Sequence, residues 1–191
     1  MIPKPDPIAL KQRLLFLGPP GAGKGTQAAQ LAASHGLLHL STGDLLRAEV
    51  AAGSALGQEA EAVMARGELV SDQLVLAIVR SRLLGLQGGW LLDGFPRNLA
   101  QAEALDQLLG ELEQRIELVV LMQLDDELLL QRLLGRGRQD DTEAVIRHRL
   151  EVYRQQTAPL IAHYRQQLLL QSVEAAGDIA EITGRIEALL V

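Results

Sequence analysis

The residues with the most chemical content fall in four short segments. The first, Gly18-Pro-Pro-Gly-Ala-Gly-Lys24-Gly-Thr26, follows the apolar run RLLFL and precedes a helix-like stretch. Glycines let a chain turn tightly and aim N–H groups inward, and a helix N-terminus adds partial positive charge. Lys24 adds a full positive charge, so the segment is built to cradle the phosphates of a nucleoside triphosphate. Gly21, Ala22, Gly23, Lys24, Gly25 and Thr26 are its contact positions. The general pattern puts Ser or Thr directly after the lysine to ligate Mg2+. Here Gly25 stands there and Thr26 follows, so Mg2+ is expected to be held through waters and a carboxylate elsewhere in the chain.

The second and third segments are Ser41-Thr-Gly-Asp-Leu-Leu-Arg47 and Leu92-Asp-Gly-Phe-Pro-Arg97. Asp93 ends a short apolar run, where a carboxylate can order the waters around Mg2+. Arg97 follows a rigid proline, and a guanidinium binds phosphate oxygens bidentately without losing its charge. The fourth segment holds Arg132, Arg136, Arg138, Arg147 and Arg149, with Asp140 and Asp141 among them. Five arginines so close together stand out in a chain of net charge −6. Arg147 reads as a solvated helix position.

The elements that must position these groups alternate between short apolar runs and longer helical stretches. Strands are expected at 13–17, 37–40, 90–92, 116–124 and 168–173. Helices are expected at 26–35, 44–52, 55–66, 98–113 and 126–134, and from Ser71, as cap, to 84. Asp125 is expected to cap the helix at 126–134, and Asn98 with Gln101 reads as a capping box. A long helix over 141–167 should be kinked or split by Pro159, and Asp178 with Glu181 opens a closing helix. Such alternation predicts an α/β fold of three layers, a central parallel five-stranded sheet with helices on both faces. Ligands of such sheets lie beyond the carboxyl ends of the strands, where the first three segments fall.

Composition narrows the class. The length, 191 residues, suits one domain, and 48% hydrophobic with 22% charged residues excludes a disordered chain. With no cysteine, disulfides, iron–sulfur clusters and thiolate zinc sites are excluded. His35, His39, His148 and His163 show no metal-ligand spacing and read as surface or satisfied interior side chains. The acidic balance and 3% aromatic content argue against a nucleic-acid partner. No apolar run approaches the length of a membrane span, and the Pro-rich start at 1–7 reads as neither signal peptide nor anchor. A cytoplasmic protein without a membrane partner is expected, and a monomer, since no long apolar seam is evident.

Taken together, the four segments closely resemble the adenylate kinases, over nearly the whole chain from Arg13 to the closing helix. The Asp-Gly-Phe-Pro-Arg segment is distinctive even alone. The resemblance implies a P-loop fold with an AMP-binding segment at 41–70 and a short lid at 135–141, the short-lid form for which no zinc is expected. It implies reversible transfer of a phosphoryl group from MgATP to AMP, giving two ADP. Lys24, Arg97, Arg132, Arg138 and Arg149 would be catalytic, with Arg132 and Arg136 on the ATP phosphates. Arg47 and Arg97 look like a clamp for the monophosphate, with Gly94 beside them and Arg138 and Arg149 also reaching AMP. Asp93 would hold Mg2+ through water. Such transfer needs no base, because a monophosphate oxygen is already a nucleophile. It needs alignment, charge stabilisation and a dry site.

Base choice rests on the side chains near the second nucleotide. The Gln101 amide can donate and accept at once, as an adenine edge requires, and Thr42 adds a hydroxyl. In the related uridylate–cytidylate kinases these positions tend to be Asn and Ala. Leu69 and Val70 offer apolar faces, and the turn at Gly177 offers backbone groups for the adenine of ATP. A uridylate–cytidylate kinase is one alternative. A nucleotide-gated binding protein is another, disfavoured by the second phosphate clamp.

Overall fold

The computed structural model describes residues 10–66, 68, 70–137 and 142–191. Five strands, β1 (Arg13–Leu17), β2 (Leu38–Ser41), β3 (Trp90–Asp93), β4 (Leu118–Gln123) and β5 (Leu170–Glu174), form one parallel sheet in the order β2-β3-β1-β4-β5. Nine α-helices are seen among the described residues: α1 (Lys24–His35), α2 (Thr42–Ala51), α3 (Ala55–Ala65), α4 (Asp72–Leu83), α5 (Leu99–Glu111), α6 (Asp126–Arg136), α7 (Glu143–Val152), α8 (Pro159–Gln166) and α9 (Ile179–Glu187). This is the α/β P-loop fold expected. None of these helices is long and apolar enough to cross a membrane.

The core follows from the two-residue period of the strands. In the register of β1, Leu14 lies opposite Leu91 and Leu118, and Leu15 opposite Leu92 and Val119. One face, with Leu15, Leu17, Leu92 and Leu121, packs against Leu46, Val79, Leu105 and Leu160 from α2, α4, α5 and α8. The other, with Leu14, Phe16, Leu91 and Val120, packs against Leu31, Leu133, Ile146 and Ile186 from α1, α6, α7 and α9. Central strands buried on both faces need apolar residues throughout, which explains the unbroken runs RLLFL and LVVLM.

Several element ends differ from expectation for identifiable reasons. Helix α1 begins at Lys24, inside the glycine loop, although Gly25 has poor helix propensity. Its N-cap is Gly23, which offers no side-chain cap, so the first-turn N–H groups stay available to a ligand. The expected 141–167 helix is broken twice over: α7 ends at Val152, and a π-helical turn, Tyr153–Thr157, leads to Pro159 as the first residue of α8. There the Ala158 N–H donates to Tyr153 O at 2.8 Å, a widened turn before the proline. Strand β5 starts at Leu170 because Leu168 takes a left-handed conformation (φ 61°) in the turn closing α8.

The caps also divide. Asp178 and Glu181 form a complete capping box. Asn98 accepts from the Gln101 N–H at 2.8 Å, but the Gln101 side chain reaches past Asn98 to the Arg97 N–H at 2.6 Å, so that box is only half formed. Ser71 and Asp125 occupy N-cap positions without a side-chain bond to their helices. Asp125 still places a carboxylate at the positive end of α6.

Candidate active site

Because β1 lies between β3 and β4, the chain leaves its carboxyl end in one direction and that of β3 in the other, which opens a crevice. A cleft of about 760 Å³ lies there. The phosphate loop, the start of α2, the 93–101 segment, the arginines of α6 and α7, and Gly177 line it. Every predicted site residue among the described ones is on this lining: Gly21 to Thr26, Thr42, Arg47, Val70, Asp93, Gly94, Arg97, Gln101, Arg132, Arg136, Arg149 and Gly177. Arg138, Leu69, Asp140, Asp141 and most of the expected lid lie outside the described residues.

Lys24 folds back over its own loop, its Nζ donating to Gly18 O at 2.8 Å and Pro19 O at 3.0 Å. Burial lowers its pKa to about 8; the Asp93 carboxylate opposes that shift, while Arg97 and Arg136 reinforce it. Asp93, buried at the end of β3, lies beside Gly25: a Cβ at Gly25 would stand 3.3 Å from Asp93 Oδ2. A Ser or Thr after the lysine would therefore crowd this carboxylate. An acidic group beside the phosphate loop fits Mg2+ carried in with a triphosphate.

Arg97 is fixed by three hydrogen bonds. Its N–H donates to Gln101 Oε1 at 2.6 Å, its Nε to Gly94 O at 2.7 Å, and its carbonyl accepts from Thr157 Oγ1 at 2.7 Å. Gly94 itself has φ +83°, and a Cβ there would fall 2.9 Å from Thr42 Oγ1 and 3.3 Å from Arg97 Nη2. Only glycine allows the turn and lets Thr42 and Arg97 approach together. Burial lowers the Arg97 pKa, Asp93 opposes this, and Arg47 and Arg149 add to it. A guanidinium nonetheless stays charged.

The remaining cations surround these two. Arg47 pairs with Asp44 across the first turn of α2. Arg132 donates to Ala22 O at 3.5 Å and to Ala175 O at 3.1 Å, bracing the phosphate loop against the end of β5. Thr42 is buried and its hydroxyl donates to Asp93 O at 3.5 Å. Gln101, only 2% exposed, donates through Nε2 to Asp72 Oδ1 at 2.6 Å, and Asn98 Nδ2 donates to the same oxygen at 3.3 Å. Positive charge concentrated in a cleft of an acidic chain raises the local concentration of polyanions.

Three residues were not found by sequence reasoning. Asp72 and Thr157 hold Gln101 and Arg97. His39 is a correction: its Nε2 is buried without a hydrogen-bond partner among the described residues and lies 4.0 Å from Asp93 Oδ2. It is neither a surface nor a satisfied histidine. Its one available signal was its place in β2, two residues before Ser41, in register with Leu91 beside Asp93.

A parallel sheet with its phosphate loop at the switch point defines a P-loop nucleoside-triphosphate-binding fold, and cations on both sides of one cleft suit phosphoryl transfer between two nucleotides. Within that class the chain belongs to the adenylate kinase family, whose model matches residues 16–169. Relatives named adenylate kinase include those of Synechococcus sp. strain WH7803, 73% identical over 182 residues, and strain CC9311, 74% identical over 182 residues. Each match covers 95% of this chain and 100% of the relative. The adenylate kinase of Prochlorococcus marinus strain MIT 9303 is 68% identical over 181 residues, with the same coverage.

Proposed function

We propose that the cleft holds MgATP and AMP end to end, so that the reaction of this family, MgATP + AMP ⇌ MgADP + ADP, runs by direct transfer between them. ATP lies on Gly21 to Thr26, with Arg132, Arg136 and Gly177 around it. AMP lies against Thr42, Arg47, Leu69, Val70, Gly94, Arg97 and Gln101. Lys24, Arg97, Arg132, Arg138 and Arg149 stabilise the phosphoryl group in transit. Mg2+ enters as part of the substrate and neutralises phosphate charge, and Asp93 orients its waters.

The observation that carries this reading is the position of Arg97. It lines the same cleft as Lys24 and Arg132 of the phosphate-loop side and as Arg47 and Arg149. One half-buried guanidinium thus belongs both to the triphosphate side and to the far side of the cleft. Two polyanions repel at the point of transfer, and fixed cations between them offset that repulsion without reorganising. The acceptor is a phosphate oxygen of AMP, so no side chain need take a proton. Closure of 41–70 over AMP and of a short lid at 135–141 over ATP would exclude the water that otherwise accepts the phosphoryl group.

This reading places the enzyme in the cytoplasm, where its nucleotides turn over. It also makes the monomer the working unit, since one chain supplies cations for both nucleotides. Calorimetric titration of AMP into protein saturated with a non-hydrolysable MgATP analogue tests it. A second, independent site for AMP that is weakened in Arg97→Ala is expected. No AMP binding to the saturated protein would overturn the two-nucleotide reading.

A further inference from the structure

Gln101 is held by two partners of opposite character. Asp72 Oδ1, a carboxylate oxygen, accepts from Nε2 at 2.6 Å, and the Arg97 N–H donates to Oε1 at 2.6 Å. A carboxylate has no proton to give and a backbone N–H has no lone pair in use as acceptor. The orientation of the amide is therefore dictated. Turned by 180°, Oε1 would face the carboxylate and the NH2 group would face the N–H, two repulsive contacts in place of two hydrogen bonds. Asn98 Nδ2, donating to the same Asp72 oxygen at 3.3 Å, fixes the carboxylate in turn.

The amide retains one N–H and one lone pair for a ligand, in a fixed order. Adenine presents an acceptor at N1 and a donor at its 6-amino group. Guanine and hypoxanthine present the reverse, a donor at N1 and an acceptor at O6. An amide free to flip would accept either edge; one pinned by Asp72 accepts only the first. We propose that Asp72 is a specificity-determining positioning residue, which locks the Gln101 amide in the orientation that accepts 6-amino purines and rejects 6-oxo purines. The inference rests on the reading that Gln101 meets the base of the monophosphate.

The test compares kcat/KM for AMP and for IMP, with MgATP as donor, in the wild-type chain and in Asp72→Asn. An asparagine can present N–H or oxygen to Gln101, so it removes one of the two contacts that oppose a turned amide and leaves only the Arg97 N–H against it. The ratio of AMP to IMP should fall by about tenfold, mainly through a lower KM for IMP. Asp72→Ser, whose hydroxyl also donates or accepts, should move the ratio the same way if Asp72→Asn does not fold. A purely structural role would lower both acceptors in step; an unchanged ratio in a folded Asp72 variant overturns the inference. Gln101→Met separates the two levels. If it collapses the ratio while the Asp72 variants leave it intact, only the role of Asp72 fails. If Gln101→Met itself leaves the ratio intact, Gln101 does not read the base and the inference falls with that reading.

Discussion

The Asp93 carboxylate and the backbone of Gly25 share one small space: a Cβ added to Gly25 would stand 3.3 Å from Asp93 Oδ2. A side chain at the residue after the phosphate-loop lysine would crowd this carboxylate from β3, which would have to give by a few tenths of an ångström. Gly25→Ser, which restores the hydroxyl of the general pattern, should displace Asp93 and lower kcat by about tenfold or more. The fall should be partly recovered at high Mg2+. Steady-state kinetics across a Mg2+ series checks this, and an undiminished kcat would show that Asp93 has room to move.

Lys24 gives a pH dependence of stated sign. Its pKa in the free protein is about 8, against 10.5 for an ordinary lysine. A bound triphosphate favours the ammonium, so above pH 8 binding must take up a proton. ATP affinity should be flat below pH 8 as far as this group is concerned, then fall by up to about tenfold per pH unit above it. Stability of the unliganded protein should move oppositely. Between pH 8 and 10.5 the unfolded chain holds a proton that the folded one has lost, so this group adds stability as pH rises. Equilibrium binding of an ATP analogue from pH 6.5 to 9.5 measures the first effect. Lys24→Arg, charged throughout, should give a profile without the break near pH 8.

Arg97 is half-buried and held by Gly94, Gln101 and Thr157. Arg97→Ala should lower kcat/KM for AMP by about tenfold at least, equivalent to roughly 1.4 kcal/mol or more of lost transition-state stabilisation. Affinity for ATP should change much less. Initial rates with each nucleotide varied in turn distinguish these effects, and a change confined to ATP would reverse the assignment of the two sides of the cleft.

Thr157 acts on the same arginine from 60 residues away, donating to its carbonyl. Thr157→Val keeps the shape and removes the donor. Leaving that acceptor unsatisfied costs about 1–3 kcal/mol, which for a chain of this size lowers Tm by roughly 2–4 °C per kcal/mol. Thermal unfolding followed by the fluorescence of Trp90, the single and fully buried tryptophan, reads the loss. KM for AMP should rise with it while KM for ATP stays close to wild type.

The strands could be read from the chain because β1, β3 and β4 are apolar on both faces, and the phosphate loop, Asp93 and Arg97 because their chemistry is carried by local spacing. What could not be read comes from contacts between distant residues. Asp72 meets Gln101 across 29 residues and Thr157 meets Arg97 across 60, and neither pairing leaves a periodic trace. The Gln101 side chain looked like half of a capping box because its position allows that bond. The nearby Arg97 N–H and Asp72 carboxylate took the amide instead. The π-helical turn before Pro159 was hidden for a related reason: proline marks a break, but whether the helix bends, ends or widens depends on what it packs against.

The most direct measurement is a coupled assay of ADP formation from MgATP with AMP, CMP, UMP or GMP as acceptor. Two ADP should form per ATP consumed when AMP is present, with kcat/KM for AMP at least about tenfold above every other acceptor and little ATP consumed without one. Preferential use of CMP or UMP, or ATP hydrolysis at the same rate whether or not a monophosphate is present, would contradict transfer between two adenine nucleotides held in one cleft.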